Sequence, residues 1–213
     1  MKHRDAFLLL LLGAIWGASY LFMRLAAPVL GPTVLMAARV SIAAVALWLY
    51  GAAISNLPDW GAHWRKFLML GLLNNAIPFT LIGVAVIYLN ASIAAILNAT
   101  TPFFTATVAT LWLGEAFGLR RLIGIVLGIA GVTILVGWSP LPLNAQTLMA
   151  AGAALLAAFS YGVATVYARD RFVGVQPLHT AIGQLTGSTL LLMPLALVQL
   201  PGATLTLPIA LAV

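Results

Sequence analysis

Nearly every charge in this 213-residue chain lies between long apolar runs, and the placement of those charges alternates. The runs are Ala6–Ala27, Thr33–Ala53, Phe67–Tyr88, Ala91–Leu113, Leu122–Trp138, Thr147–Tyr167 and Gln176–Gln199. Most approach the ~20 residues with which an α-helix crosses the hydrocarbon core of a bilayer. Lys2, Arg4 and Asp5 precede the first run. Asp59, Arg65 and Lys66 follow the second, Glu115, Arg120 and Arg121 the fourth, and Arg169, Asp170 and Arg171 the sixth. The intervening ends, at residues 28–32, 89–90, 139–146 and 200–204, carry no charge. Lys and Arg are retained on the cytoplasmic face. The pattern predicts a multi-pass protein of the inner (plasma) membrane with a cytoplasmic amino terminus.

Composition agrees. With 63% hydrophobic and 7% charged residues, a soluble domain of this length could not cover its surface with polar groups. The net charge of +6 sits in small groups beside the ends of runs, where topology explains it, so nucleic acid is not an expected partner. The absence of cysteine excludes disulfides, thiolate metal sites and cysteine nucleophiles. The first run is longer than a signal-peptide core and six more follow it, so it reads as an uncleaved first helix.

Sliding the chain against itself by 145 residues aligns Trp16-Gly17 with Tyr161-Gly162, Arg24 with Arg169, Pro32 with Pro177, Arg39 with Gln184 and Ser41 with Thr186. Five runs, an odd number, fill one period, so the second copy crosses in the opposite sense. Inverted repeats of this kind build many secondary transporters, with the substrate site near midplane at the repeat interface. The expectation is an all-α polytopic bundle of seven complete spans and a partial eighth, taken from a ten-span, two-repeat architecture. Residues 1–138 form the first repeat, and 139–213 the opening of a second that would continue to roughly residue 283.

Gly13-Ala14-Ile15-Trp16-Gly17-Ala18-Ser19-Tyr20, Arg39 and the stretch from Ala91 to Gly137 resemble the EamA family of the drug/metabolite transporter superfamily. That stretch combines small residues, a mid-span proline, a Gly-Glu pair and a glycine-stepped helix. The resemblance implies a ten-helix, two-repeat exporter of small metabolites, amino acids or drugs that works by alternating access.

Several side chains within the runs are candidates for substrate binding. Asn98 and Thr101 share a stripe with Thr105, and Pro102 loosens the helix beside them by removing a hydrogen bond. Asn74, Asn75 and Pro78 repeat the theme in the third run. For these polar groups, lining a cavity competes with bonding to neighbouring helices or to their own backbone. Trp16 lies too deep for an interfacial anchor. It shares a face with Tyr20, and Tyr161 is its symmetry mate, so the three are candidate cavity aromatics. Arg39 either snorkels to headgroups or forms an outer-vestibule cation for anionic substrates. Pro78 and Pro102 are candidate hinges. Glu115 reads as a salt-bridge or helix-end residue. Trp48, Trp60, Trp64 and Trp138 read as interfacial anchors, and Gly124, Gly128 and Gly131 as a packing face.

No Asp or Glu lies within the complete runs, and proton relays usually need one or a histidine. Paired carboxylates and metal-ligand clusters are also lacking, so no enzyme activity, metal or cofactor is expected. The sequence therefore predicts a metabolite exporter whose partners are a small-molecule substrate and the lipid bilayer. A non-transporting receptor or scaffold, and a lipid-handling membrane protein, are the alternatives.

Overall fold

The computed structural model describes residues 3–136 and 144–199; the side chains of residues 3–6, 9, 16, 17, 19–21, 23, 24, 91, 132, 135 and 136 are outside the described set. All regular structure among the described residues is helical, in agreement with the all-α expectation. In order, the elements are α1 (His3–Leu30), α2 (Pro32–Ala53), α3 (Trp60–Gly71), a π-helical turn (Leu72–Ala76), α4 (Ile77–Tyr88), α5 (Ala91–Asn98), α6 (Thr101–Leu113), α7 (Leu119–Val136), α8 (Ala145–Arg171) and α9 (Pro177–Gln199).

The boundaries follow local chemistry. Asp59, Asn90 and Asn144 each accept a hydrogen bond from the backbone N–H three residues on, at Ala62, Ile93 and Thr147, which caps α3, α5 and α8. Pro32 starts α2 where its missing N–H has no intrahelical partner to lose. Gly114 closes α6 in the left-handed region at φ 69°, a conformation that costs glycine nothing.

Among the described residues, five helical stretches are long and apolar enough to cross a membrane: Pro32–Ala53, Trp60–Tyr88, Ser92–Leu113, Ala145–Arg171 and Pro177–Gln199. The second joins α3, the π-turn and α4 into one rod; the third is broken between α5 and α6 at Ala99–Thr100. The expected partial eighth span falls on residues outside the described set.

α9 packs against α2 and α3, and α8 against α4 and α6, so these two helices tie the bundle together. Glycines set how closely they approach. A Cβ on Gly71 would lie 2.6 Å from the Gln184 carbonyl oxygen and the Ser188 nitrogen, and one on Gly187 would lie 2.7 Å from the Phe67 carbonyl. Likewise a Cβ on Gly162 of α8 would lie 2.8–2.9 Å from the backbone of Thr105 and Phe104 in α6. In lipid, where apolar burial no longer drives association, such backbone contact supplies the packing energy. α1 joins through Ala26, Ala27 and Leu30, which pack with Leu35 and Met36 of α2.

The charged connections converge on one end of this bundle. Glu115 pairs with Arg169 and, at 3.4 Å, with Arg121, and Lys66 Nζ donates to the Arg171 carbonyl at 3.3 Å. Asn56 Nδ2 donates to Gln176 Oε1 at 2.8 Å, while His179 Nε2 lies 2.7 Å from Asn56 Oδ1. At this end Trp60, Phe67 and Phe172 stack at centroid separations of 5.3 and 5.6 Å.

Two side expectations change. Trp48 is a half-buried interhelical donor, its Nε1 bonding Thr186 Oγ1 at 2.8 Å, because α9 passes alongside that turn of α2. Gly124, Gly128 and Gly131 have no neighbouring helix among the described residues; the space where each Cβ would stand is open.

Candidate functional site

Two helices in this bundle are interrupted beside a proline, and their freed carbonyls are handled in different ways. In the rod 60–88, the Ile77 N–H bonds the Leu72 carbonyl, five residues back. In that register the next carbonyl, Leu73, would need an N–H from residue 78, which is proline and has none. Ser160 of α8 supplies the donor instead, its hydroxyl bonding the Leu73 oxygen at 2.7 Å.

The asparagines of the same turn are spent on α9. Asn74 Nδ2 donates to Gln184 Oε1 at 3.1 Å, and Asn75 Nδ2 donates to Ser188 Oγ at 2.8 Å. The Ser188 hydroxyl in turn has the carbonyls of Gln184, at 2.7 Å, and Gly71, at 3.1 Å, within reach. Asn75 and Ser188 are buried. Both asparagines therefore act as interhelical ties in this conformation, the second of the two readings that the sequence left open. Ser160 and Ser188 carry these contacts without having stood out beforehand; the signal available for Ser188 was its position four residues after Gln184, on one face of an apolar helix.

At the second interruption Pro102 leaves the Asn98 carbonyl without its helical N–H. The Thr101 hydroxyl donates to that carbonyl at 2.7 Å, Thr100 to Leu97 at 2.6 Å and Thr105 to Thr101 at 2.9 Å. Every backbone acceptor named here is closed by a local hydroxyl, and the Thr101 donor is used up in the process. The Asn98 side chain is not closed. Its Oδ1 is the one buried side-chain N or O atom without a hydrogen-bond partner among the described residues. An acceptor left in that state costs about 1–3 kcal/mol.

One turn before Asn98, Ala94 packs in a cluster with Ile82, Val86 and Ala157, and Tyr161 lies against that cluster. Tyr161 is half-buried and meets Phe79 edge-on at 6.5 Å. The structure thus brings Tyr161 to the junction of α4, α5 and α8. Arg39 is half-buried on α2 between Ala38 and Val40. Trp16 and Tyr20 lie on α1 with side chains outside the described set. Thr101, Pro102 and Thr105 also line a cavity of about 340 Å³ with Arg121 and Ile125 of α7. Among the described residues no three His, Asp or Glu side chains come together as a metal site would require.

At the charged end, the hydrogen bond from Arg169 holds the Glu115 carboxyl below the usual carboxylate range, and Arg121 adds to the effect.

The sequence profile of the EamA-like transporter family matches residues 4–137 of this chain. The chain belongs to the EamA-like transporter family. Among curated EamA-like relatives, an uncharacterized transporter of Bacillus subtilis (strain 168), YvbV, is 27% identical over 195 residues, covering 90% of this chain and 63% of its own length. A second, the uncharacterized transporter YoaV of the same organism, is 22% identical over 166 residues, covering 78% of this chain and 57% of its own. This chain thus spans about three-fifths of the length of each relative. A crystal structure of another protein shares the fold at a TM-score of 0.66 and 20% identity, over 91% of this chain and 69% of that one. Apolar helices and transporter relatives together make this EamA-like chain a multi-pass membrane protein.

Proposed function

We propose that this chain works in a membrane carrier that moves a small amphipathic metabolite, amino-acid-like in character, outward by alternating access between inverted repeats. The observation that carries the reading is the unpaired, buried Asn98 Oδ1 at the break between α5 and α6. A purely structural asparagine would be paired, as Asn74 and Asn75 are. An amide oxygen kept without a donor beside a broken helix is suited to a donor that comes and goes, such as the ammonium or amide of a solute. Broken membrane helices commonly host transporter sites in this way.

The 145-residue offset supports 1–138 as one repeat and 139–213 as matching part of a second, with seven spans and an eighth begun. Convergence of the charged loops on one end supports a cytoplasmic amino terminus in the inner membrane. In this reading Trp16, Tyr20 and Tyr161 line the path with aromatic surface, Arg39 draws anionic groups at the outer side, and Pro78 and Pro102 are hinges. The work is binding and movement, without covalent chemistry.

Counterflow of labelled amino acids in proteoliposomes tests the proposal. Wild type should exchange label, and Asn98→Leu should lose exchange while inserting normally. Amino-acid binding with no exchange in wild type would replace the carrier with a receptor. Equal exchange by both proteins would remove Asn98 from the path.

A further inference from the structure

α7 is the least enclosed helix of the bundle: Leu119, Ile123, Val126, Leu127 and Ile134 are all exposed, as is Leu111 on the facing helix α6. Together they form an apolar face on the outside of the described bundle. Between the two helices lies the cavity of about 340 Å³, with Thr101, Pro102 and Thr105 on one wall and Arg121 and Ile125 on the other. That volume falls in the range of small-molecule sites.

The polar groups of the cleft are unequal. The Thr101 and Thr105 hydroxyls have already given their protons to the carbonyls of Asn98 and Thr101, so neither offers a donor to an anion. Pro102 and Ile125 are apolar. Arg121 is left as the cleft's source of N–H donors, and a guanidinium carries five of them. Its ion pair is with Glu115 at 3.4 Å, beyond the 2.7–2.9 Å typical of a charge-assisted bond. Glu115 is held more closely by Arg169. Arg121 therefore has donor capacity to spare, in the first turn of α7 at the charged end of the bundle. The cleft leads from there along α6 towards the helix break.

We infer that the α6–α7 cleft binds an anionic phospholipid of the leaflet at the charged end, its phosphate on Arg121 and one acyl chain along Pro102 and Ile125. The complementarity is specific in kind: one cation at the charged end of the bundle beside an apolar slot. Basic pockets between membrane helices bind anionic headgroups by this combination. The cleft shares Thr101 and Pro102 with the Asn98 break, so its test reads lipid retention rather than transport.

The test is native mass spectrometry of the purified chain titrated with phosphatidylglycerol or phosphatidylcholine. Arg121→Gln is compared with Arg120→Gln, which removes an equal charge from a neighbouring residue that does not line the cleft. Ile125→Trp fills the slot and leaves all charges in place. The expected result is preferential retention of phosphatidylglycerol by wild type and Arg120→Gln. Arg121→Gln should weaken it about tenfold or more, as for loss of a hydrogen bond to a charged group, and Ile125→Trp should weaken it as well. Equal loss in both arginine variants would reduce the effect to general surface charge and overturn the site. Equal retention of phosphatidylcholine would overturn headgroup recognition. Displacement by dodecanoate but not by phosphatidylglycerol would assign the cleft to a free carboxylate and overturn the lipid assignment.

Discussion

Ser160 of α8 donates its hydroxyl to the Leu73 carbonyl at 2.7 Å, the acceptor that Pro78 leaves open in the π register. A buried carbonyl without a donor in lipid costs several kcal/mol, so the proline, the π-turn and the serine form one unit. A π-turn with a partner of this kind is a place where a helix can change register.

That unit predicts a non-additive pair. Ser160→Ala should destabilise the protein by about 1–3 kcal/mol. In a Pro78→Ala background, where residue 78 regains its N–H, the same change should cost much less. Thermal unfolding of the four proteins in one detergent checks this. An equal cost of Ser160→Ala in both backgrounds would mean that Pro78 does not create the need for the serine.

The α6–α8 crossing predicts a position-specific steric effect. Gly162→Val places side-chain atoms against the Phe104–Thr105 backbone, which cannot retreat as a flexible side chain would. It should cost about 1–3 kcal/mol or more, seen as a lower unfolding temperature and lower yield. Gly152→Ala lies on the same helix with open space beside it and should be neutral within about 0.5 kcal/mol.

Glu115 predicts the pH response of the charged end. Its carboxyl is lowered in the folded protein by Arg169 first and Arg121 second. The folded state therefore gains stability above the unfolded carboxylate range and loses it as pH falls through the depressed folded value. Unfolding temperature against pH should show wild type above Glu115→Gln at neutral pH, with the two curves merging as the carboxylate is protonated. Merging as pH rises would contradict the assignment. High salt should narrow the neutral-pH gap, because the pair is exposed.

Much of this architecture could be read from sequence because bilayer constraints are coarse. The alternation of Lys66, Arg121 and Arg169 with uncharged ends foretold that these residues would meet at one end of the bundle. Pro78 and Pro102 marked both irregular points. Partner choice was not legible: nothing local says that Asn75 bonds Ser188, more than a hundred residues away, or that Trp48 bonds Thr186. These pairs depend on how α2, α3 and α9 pack around Gly71 and Gly187, a non-local outcome. Thr101 illustrates the reverse case. Its hydroxyl was a candidate for substrate, yet the nearest acceptor is the carbonyl that Pro102 exposes, and a local bond forms at lower entropic cost than a distant one.

The central claim concerns Asn98, and its most direct test reads stability and transport on one variant. Asn98→Leu removes an amide whose buried oxygen has no partner among the described residues, so it should raise the unfolding temperature, with about 1–3 kcal/mol of desolvation cost relieved. The same protein should lose most amino-acid exchange in proteoliposomes, while Asn75→Leu, which breaks a satisfied tie, should lower stability. A stabilised, inactive Asn98→Leu protein is the predicted result. A destabilised one, or one that exchanges label at the wild-type rate, would contradict the account.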